Sequence, residues 1–152
     1  MNIQGTATLP GKRADVWNTL QNPEMLRLSI PGCEKLELVG PNVYRADLSV
    51  GVAAIKGRYS GMMTMLEQQP PESYKMQVEG KGAPGWVKAT MSLTLTEQGE
   101  ETAVAYDVDA QVGGLVASVG QRMLGSVAKM LLGDMFKRLG AEIQSHSAPS
   151  RR

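Results

Sequence analysis

The last third of the chain carries one long apolar stripe, and this feature most limits what the chain can fold into. Between Gly113 and Gln144, every fourth residue of one row is apolar: Leu115, Val119, Met123, Val127, Leu131, Met135, Leu139 and Ile143. Residues four apart lie on the same face of an α-helix. The spacing therefore predicts one helix over 113–144 with a broad face that must be buried.

The first 112 residues predict antiparallel strands and two short helices. Apolar and polar residues alternate, as in strands, over 2–9, 34–39, 42–52, 54–68, 73–81, 86–97 and 101–112. Turns rich in glycine and proline separate most of these segments at hairpin lengths. Residues 13–20 and the segment that follows Asn22-Pro23 predict two short helices after the first strand. This order predicts an α+β fold, in which a seven-stranded antiparallel sheet packs against the long C-terminal helix.

Length and composition predict one domain over 1–144 and a polar, disordered tail over 145–152. The net charge of +1 gives no indication of nucleic-acid binding. Cys33 is the only cysteine, so the chain cannot form a disulfide with itself. No apolar run reaches the ~20 residues of a membrane span, and the N-terminus lacks the pattern of a signal peptide. We therefore expect a soluble, cytoplasmic protein.

The predicted inner face of the sheet carries no charged side chain. A helix laid across a curved sheet leaves a gap, and an uncharged gap suits an apolar ligand. Residues 80–85 are rich in glycine and proline and predict a mobile hairpin tip at the mouth of this gap, where Trp86 forms either a lid or a cover on the core. We expect the cavity to be lined by Tyr59, Met63, Met76, Trp86, Val87, Met91, Tyr106, Val119, Met123 and Val127.

A second apolar cluster lies near the end of the predicted helix. Its apolar members lie roughly 150° around the helix from Leu115, Val119 and Met123, at 100° per residue. One sheet cannot bury both sets unless the helix bends, for which Gly125 and Gly133 are candidate positions. Otherwise the cluster is exposed and docks on a membrane, a partner enzyme or a second copy of the chain. This predicted C-terminal docking cluster comprises Leu132, Met135, Phe136, Lys137, Arg138 and Leu139.

The sequence offers little chemistry for catalysis. Its one histidine, His146, lies in the predicted tail, so no Ser/His/Asp or Cys/His arrangement is indicated. Asp107 and Asp109 lie on an outward strand face without a third ligand, so no metal site is predicted. Four tyrosines supply the acid–base groups available to the cavity, and tyrosine is a weak acid–base catalyst at neutral pH. We expect a protein that binds rather than catalyses and that needs no cofactor.

Several short motifs together resemble those of one family. They are VW at 16–17, IPGCE at 30–34, KGRYSG at 56–61, PPESY at 70–74, EGKG at 79–82 and YDVDAQVGGLVASVGQRML at 106–124. In order and spacing they resemble the carbon monoxide dehydrogenase G-subunit family, from about residue 3 to residue 143. The chain departs from the family at Ala89 or Thr90, where a glycine is usual, and at Met135-Phe136, where a Phe-Phe pair is usual.

The resemblance implies a helix-grip fold of the START-like, polyketide cyclase-like superfamily, wrapped around an apolar cavity. It implies an accessory protein that holds a lipid or quinone-like molecule. It further implies that such a protein helps to recruit a molybdenum hydroxylase of the carbon monoxide dehydrogenase type to the inner face of the membrane. The same superfamily contains polyketide cyclases and aromatases, so a small enzyme is the alternative. A second copy of the chain, bound through the C-terminal docking cluster as a homodimer, is a further partner that we consider.

Overall fold

The computed structural model describes residues 1–52 and 55–147. In chain order its elements are β1 (Asn2–Pro10), α1 (Arg13–Leu20), α2 (Pro23–Ser29), β2 (Cys33–Gly40), β3 (Val43–Val50), β4 (Gly57–Gln69), β5 (Ser73–Gly82), β6 (Gly85–Gln98), β7 (Glu101–Gly113), a 3-10 helix (Gly114–Val119) and α3 (Gln121–Ser147).

All seven strands form one antiparallel sheet in the order β1-β7-β6-β5-β4-β3-β2. Strands β2 to β7 are joined in succession by short connections, which is why they pair with their neighbours in sequence. The exception is β1, which lies at the edge opposite β2, so α1 and α2 must cross the sheet between the two edges. The predicted α+β fold with a seven-stranded sheet and a long C-terminal helix is confirmed.

Helix α2 begins where the sequence predicted, because Asn22 is a favourable N-cap and Pro23 is a favourable first helical residue. The Asn22 side chain accepts hydrogen bonds from the backbone N–H groups of Glu24 at 3.0 Å and Met25 at 3.3 Å. Pro23 occupies the first helical turn, where a missing N–H costs nothing. This local structure turns the apolar side chains of α2 toward the sheet, and Met25 and Leu26 are buried.

The core lies between the inner face of the sheet and the three helices. Strand residues of one phase supply its floor, among them Leu93 and Leu95 of β6 and Val104 of β7, all almost fully buried. Trp17 of α1 packs edge-on against Tyr74 of β5, with ring centroids 5.2 Å apart. Alternation along each strand thus separates a buried inner face from a solvated outer face.

The predicted single helix over 113–144 is wrong at its beginning. Strand β7 continues to Gly113, a 3-10 helix follows, and α3 begins only at Gln121. Gly120 separates the two helices with φ of +94°, a conformation that residues with a side chain rarely adopt. At its other end, α3 continues through Ser147, three residues into the predicted tail; residues 148–152 lie outside the described part of the chain.

The expected exposure of the C-terminal docking cluster is also wrong for its central residues. Phe136 is 4% exposed and Leu139 is fully buried, while Leu132 and Met135 are partly buried. The cause is the position of α3, whose C-terminal half packs on the sheet: the Phe136 ring stacks on Tyr106 of β7 with centroids 5.2 Å apart. The flanking cations are exposed, and one of them, Arg138, forms an ion pair with Asp134 at 3.1 Å.

Exposed apolar residues occur instead before and in the first half of α3. Leu115 is 72% exposed, and Met123 and Met130 are each 53% exposed. The break at Gly120 explains part of the difference between the predicted and the observed exposure. Residues before the break do not share a helical face with the residues after it. Within residues 1–52 and 55–147, no helix combines the length and the apolar character needed to span a bilayer.

Candidate functional site

An apolar cavity of about 190 Å³ lies between the inner face of the sheet and the helices. Strands β3 to β6 form its floor. Leu20 of α1, Leu26 of α2, and Met135 and Leu139 of α3 lie on its helical side. The cavity therefore occupies the place where the C-terminal half of α3 crosses the sheet.

Two glycines face each other on the floor of the cavity. Gly61 of β4 and Gly80 of β5 are paired across the two strands and have the strand phase of inward residues such as Met63 and Val78. Because neither has a side chain, the sheet presents bare backbone here. A Cβ atom on Gly61 would collide with the Glu79 carbonyl oxygen, whereas one on Gly80 would meet nothing closer than 3.9 Å. The gap in the floor thus has room for a side chain at Gly80.

Two tyrosines, Tyr59 and Tyr74, line part of the cavity wall. The Tyr59 hydroxyl donates a hydrogen bond to the Ile55 carbonyl oxygen at 2.6 Å. The Tyr74 hydroxyl is buried and has no hydrogen-bond partner among residues 1–52 and 55–147. Burial raises the pKa of both groups, and the neighbouring Tyr44 hydroxyl raises the pKa of Tyr74 further. Both hydroxyls therefore stay protonated at neutral pH.

Within residues 1–52 and 55–145, the charged side chains lie away from the inner face of this cavity. Glu79 contributes to the wall, but its strand phase turns its side chain to the outer face of the sheet, where it is exposed. No group of three or more His, Cys, Asp or Glu residues comes close enough to hold a metal ion in the described parts of the chain. The cavity wall is thus suited to holding a hydrocarbon or a ring through contact and the hydrophobic effect.

Four of the ten residues predicted for the cavity are brought together in it. These four are Tyr59, Met63, Met76 and Met91. Their strand phase turns their side chains to the inner face of the sheet, and they lie on the three central strands β4, β5 and β6. The phase of alternation therefore identified the inward residues of the central strands correctly.

Trp86 and Tyr106 do not line the cavity. Trp86 is 40% exposed and lies on the outer face of the sheet, where its indole covers Gly113 and the Lys88 ammonium is 6.0 Å from its ring centroid. A lid on the inner cavity is incompatible with that position. The Tyr106 ring points inward but is stacked on Phe136, so it fills its part of the interior.

The other four predicted residues, Val87, Val119, Met123 and Val127, also lie outside the cavity. Val87 pairs with Val112 near the end of β6 that approaches the 3-10 helix. The break at Gly120 changes the direction of the chain before α3, so Val119 precedes the helix and Met123 is exposed. The cavity lies under the other half of α3.

Sequence reasoning missed the helical side of the site. Met135 and Leu139, which were predicted to dock on a partner, line the cavity instead. The glycine pair was also missed, although Gly61 interrupts a row of inward apolar residues in β4 and Gly80 follows such a row in β5. Their pairing across β4 and β5 depends on the strand register, which the sequence pattern alone does not supply.

Nearly the whole chain is similar to known proteins, both in sequence and in structure. The profile of the carbon monoxide dehydrogenase G-subunit (CoxG) family matches residues 5–144. The crystal structure of a conserved protein from Geobacillus kaustophilus is 43% identical, with a TM-score of 0.93 over 95% of this chain and 96% of that chain. No curated protein matches the sequence significantly.

More distant structures share the fold. A START superfamily protein from Mycobacterium smegmatis is 13% identical, with a TM-score of 0.75 over 95% of this chain and 97% of that chain. The crystal structure of Ara h 8.0201 is 12% identical, with a TM-score of 0.70 over 95% of this chain and 98% of that chain. These similarities show a START-like, helix-grip fold.

Proposed function

Because this chain belongs to the carbon monoxide dehydrogenase G-subunit family, we propose that it is a non-catalytic accessory protein that binds a lipid or quinone-like molecule under α3. The observation that carries this proposal is the apolar cavity of about 190 Å³. Protein interiors are otherwise packed with few voids larger than a water molecule. A gap of this size in the core of a small domain therefore supports a binding role.

The size of the cavity limits what it holds. Sites for drug-sized ligands typically measure roughly 300–1,000 Å³, so a volume of about 190 Å³ accommodates one ring system or a short stretch of chain. Four of the ten methionines line it with inward side chains: Met63, Met76, Met91 and Met135. Methionine side chains change conformation easily, so these walls can adapt to a longer ligand.

A side chain added at Gly80 tests this site directly. Gly80→Val places two methyl groups on the cavity floor, where the backbone leaves room for them. The neutral fluorophore N-phenyl-1-naphthylamine should bind the wild-type protein saturably, and Gly80→Val should lower its affinity about tenfold, equivalent to about 1.4 kcal/mol.

The matched control is Gln77→Val on the same strand. Gln77 is exposed on the outer face of β5, so this variant adds the same side chain away from the cavity and should bind the fluorophore as the wild type does. Wild-type affinity in a folded Gly80→Val variant would show that the ligand site lies elsewhere. Solvent extraction of the purified proteins, followed by mass spectrometry, identifies the natural ligand, which Gly80→Val should retain less well.

We further propose that recruitment to a membrane uses the first half of α3 rather than its buried C-terminal half. Met123 and Met130 are two turns apart, so they lie on one side of the helix, and both are half exposed. Arg122 and Lys129 adjoin them and are exposed, and the chain contains no acidic residue from Ala110 to Gly133. Apolar side chains interleaved with cations favour the surface of an anionic bilayer.

Vesicle flotation tests the membrane contact. The double variant Met123→Ser/Met130→Ser should bind phosphatidylglycerol vesicles less than the wild type, without a change in melting temperature. Leu38→Ser is the control, because Leu38 is 58% exposed on the distant strand β2. Equal flotation of all three proteins would contradict this membrane contact. Sedimentation of the protein with a molybdenum hydroxylase of the carbon monoxide dehydrogenase type tests the enzyme contact separately.

A further inference from the structure

Two exposed apolar side chains lie at one end of the sheet, outside the cavity wall. Trp86 of β6 is 40% exposed, and Leu115 of the 3-10 helix is 72% exposed. Trp86 pairs with Gly113 at the end of β7, and its indole covers this glycine. Leu115 follows Gly113 by two residues. Both side chains therefore lie where the hairpin between β5 and β6 meets the beginning of the 3-10 helix.

Close packing holds this end of the sheet in place. A Cβ atom on Gly85 would collide with the Gly113 carbonyl oxygen, so the two backbones are in direct contact. The Val116 N–H group donates a hydrogen bond to the Pro84 carbonyl oxygen at 2.8 Å. The two exposed side chains thus stand on a fixed support. Little conformational freedom of the backbone is lost when such side chains contact a partner.

Positive charge flanks the exposed indole. Lys81 pairs with Trp86 across β5 and β6, and the Lys88 ammonium lies 6.0 Å from the centroid of the indole ring. Both lysines are exposed. Among their cross-strand partners, all within the described residues, Glu79 alone is acidic, and it lies opposite Lys88. This end of the sheet therefore combines exposed apolar groups with an excess of positive charge.

An anionic bilayer is the partner that this combination fits. An indole has an apolar body and a polar N–H group, which suits the boundary between headgroups and acyl chains. Neighbouring lysines are attracted to anionic headgroups. The chain runs from Leu115 directly into α3, where Arg122 and Met123 belong to the membrane contact proposed above, and residues 110–133 contain no acidic side chain. The two surfaces are therefore continuous along the chain.

Resting on that proposed membrane contact, we propose that this end of the sheet is a second anchor on an anionic bilayer. Trp86 and Leu115 enter the headgroup region, and Lys81 and Lys88 bind lipid phosphate groups. These four residues form the tip anchor. Contacts along one helix leave a protein free to rotate about the helix axis, whereas a second contact on the sheet fixes its orientation.

Tryptophan fluorescence tests the position of the indole. The chain contains two tryptophans, of which Trp17 is 6% exposed in the core. Phosphatidylglycerol vesicles that contain phosphatidylcholine brominated on its acyl chains should quench the emission of Trp86 and shift it to shorter wavelength. Trp86→Phe is the control: its remaining emission comes from Trp17 and should not be quenched.

Vesicle flotation tests the other members of the tip anchor. Leu115→Ser should lower the affinity for phosphatidylglycerol vesicles about threefold to tenfold, without a change in melting temperature, because the side chain is exposed. Leu38→Ser, the same replacement at a position that is 58% exposed on β2, should bind as the wild type does. Lys81→Gln/Lys88→Gln should weaken binding and make it less sensitive to salt.

The outcomes separate this anchor from the contact on α3. Vesicle binding without quenching of Trp86, and with equal affinities of Leu115→Ser and Leu38→Ser, would overturn the tip anchor and leave the contact on α3 in place. Normal vesicle binding by Leu115→Ser, together with weaker sedimentation with the molybdenum hydroxylase or a lost self-association, would assign this surface to a protein partner instead. Failure of the wild-type protein to bind vesicles would overturn the proposed membrane contact itself.

Discussion

Replacing Phe136 by alanine tests whether Phe136 is a core residue or part of a docking surface. Phe136 is 4% exposed and stacks on Tyr106. Burying a phenylalanine contributes about 1.5–3 kcal/mol, and an aromatic pair adds about 0.5–1.5 kcal/mol. With the void that is left behind, Phe136→Ala should lower the free energy of unfolding by about 3–5 kcal/mol.

Urea denaturation followed by far-ultraviolet circular dichroism measures this change. In a protein of 152 residues, each kcal/mol corresponds to about 2–4 °C, so the melting temperature should fall by roughly 6–20 °C. Met130→Ala on the same helix is the control, because Met130 is 53% exposed and its loss should change stability by no more than about 0.5 kcal/mol. Equal, small effects of the two substitutions would refute the packing of the C-terminal half of α3 and restore the interpretation of Phe136 as a docking residue.

Three further predictions concern other parts of the chain. Trp86→Phe should leave the affinity for N-phenyl-1-naphthylamine unchanged, because the indole lies on the outer face; a clear loss of affinity would contradict this. Burial raises the pKa of the Cys33 thiol, so at pH 8 less thiolate is present than in a free cysteine, and iodoacetamide should react more slowly; a rate profile from pH 7 to 10 that matches free cysteine would argue against it. Asn22→Ala removes the cap of α2 and should cost about 1 kcal/mol in urea denaturation, whereas an unchanged midpoint would show that the cap is dispensable.

The strands and the short helices could be predicted because their causes are local. Alternation along β6 and β7 follows from the two faces of a strand, and the short connections between strands dictate antiparallel neighbours. The start of α2 depends on Asn22 and Pro23, which are adjacent in sequence. No distant contact is needed to recognise any of these features.

The beginning of α3 could not be recognised from periodicity. Apolar residues at 115, 116 and 119 continue the helical spacing of those that follow. The positive φ of Gly120 nevertheless separates them into two helices. Glycine accepts negative and positive φ at little cost, so the sequence does not show which one is adopted.

The position of the cavity depends on contacts between segments that are far apart in the chain. Sequence alone determined that the inner face of the sheet is apolar, that one long helix covers it, and that Tyr59, Met63, Met76 and Met91 point inward. Tertiary structure decided where that face is filled and where it is empty: Tyr106 meets Phe136, whereas Gly61 meets Gly80 and leaves the backbone bare. The physical reason is that strand phase sets the direction of each side chain, while the filling of space depends on strand register and on where the helix crosses the sheet.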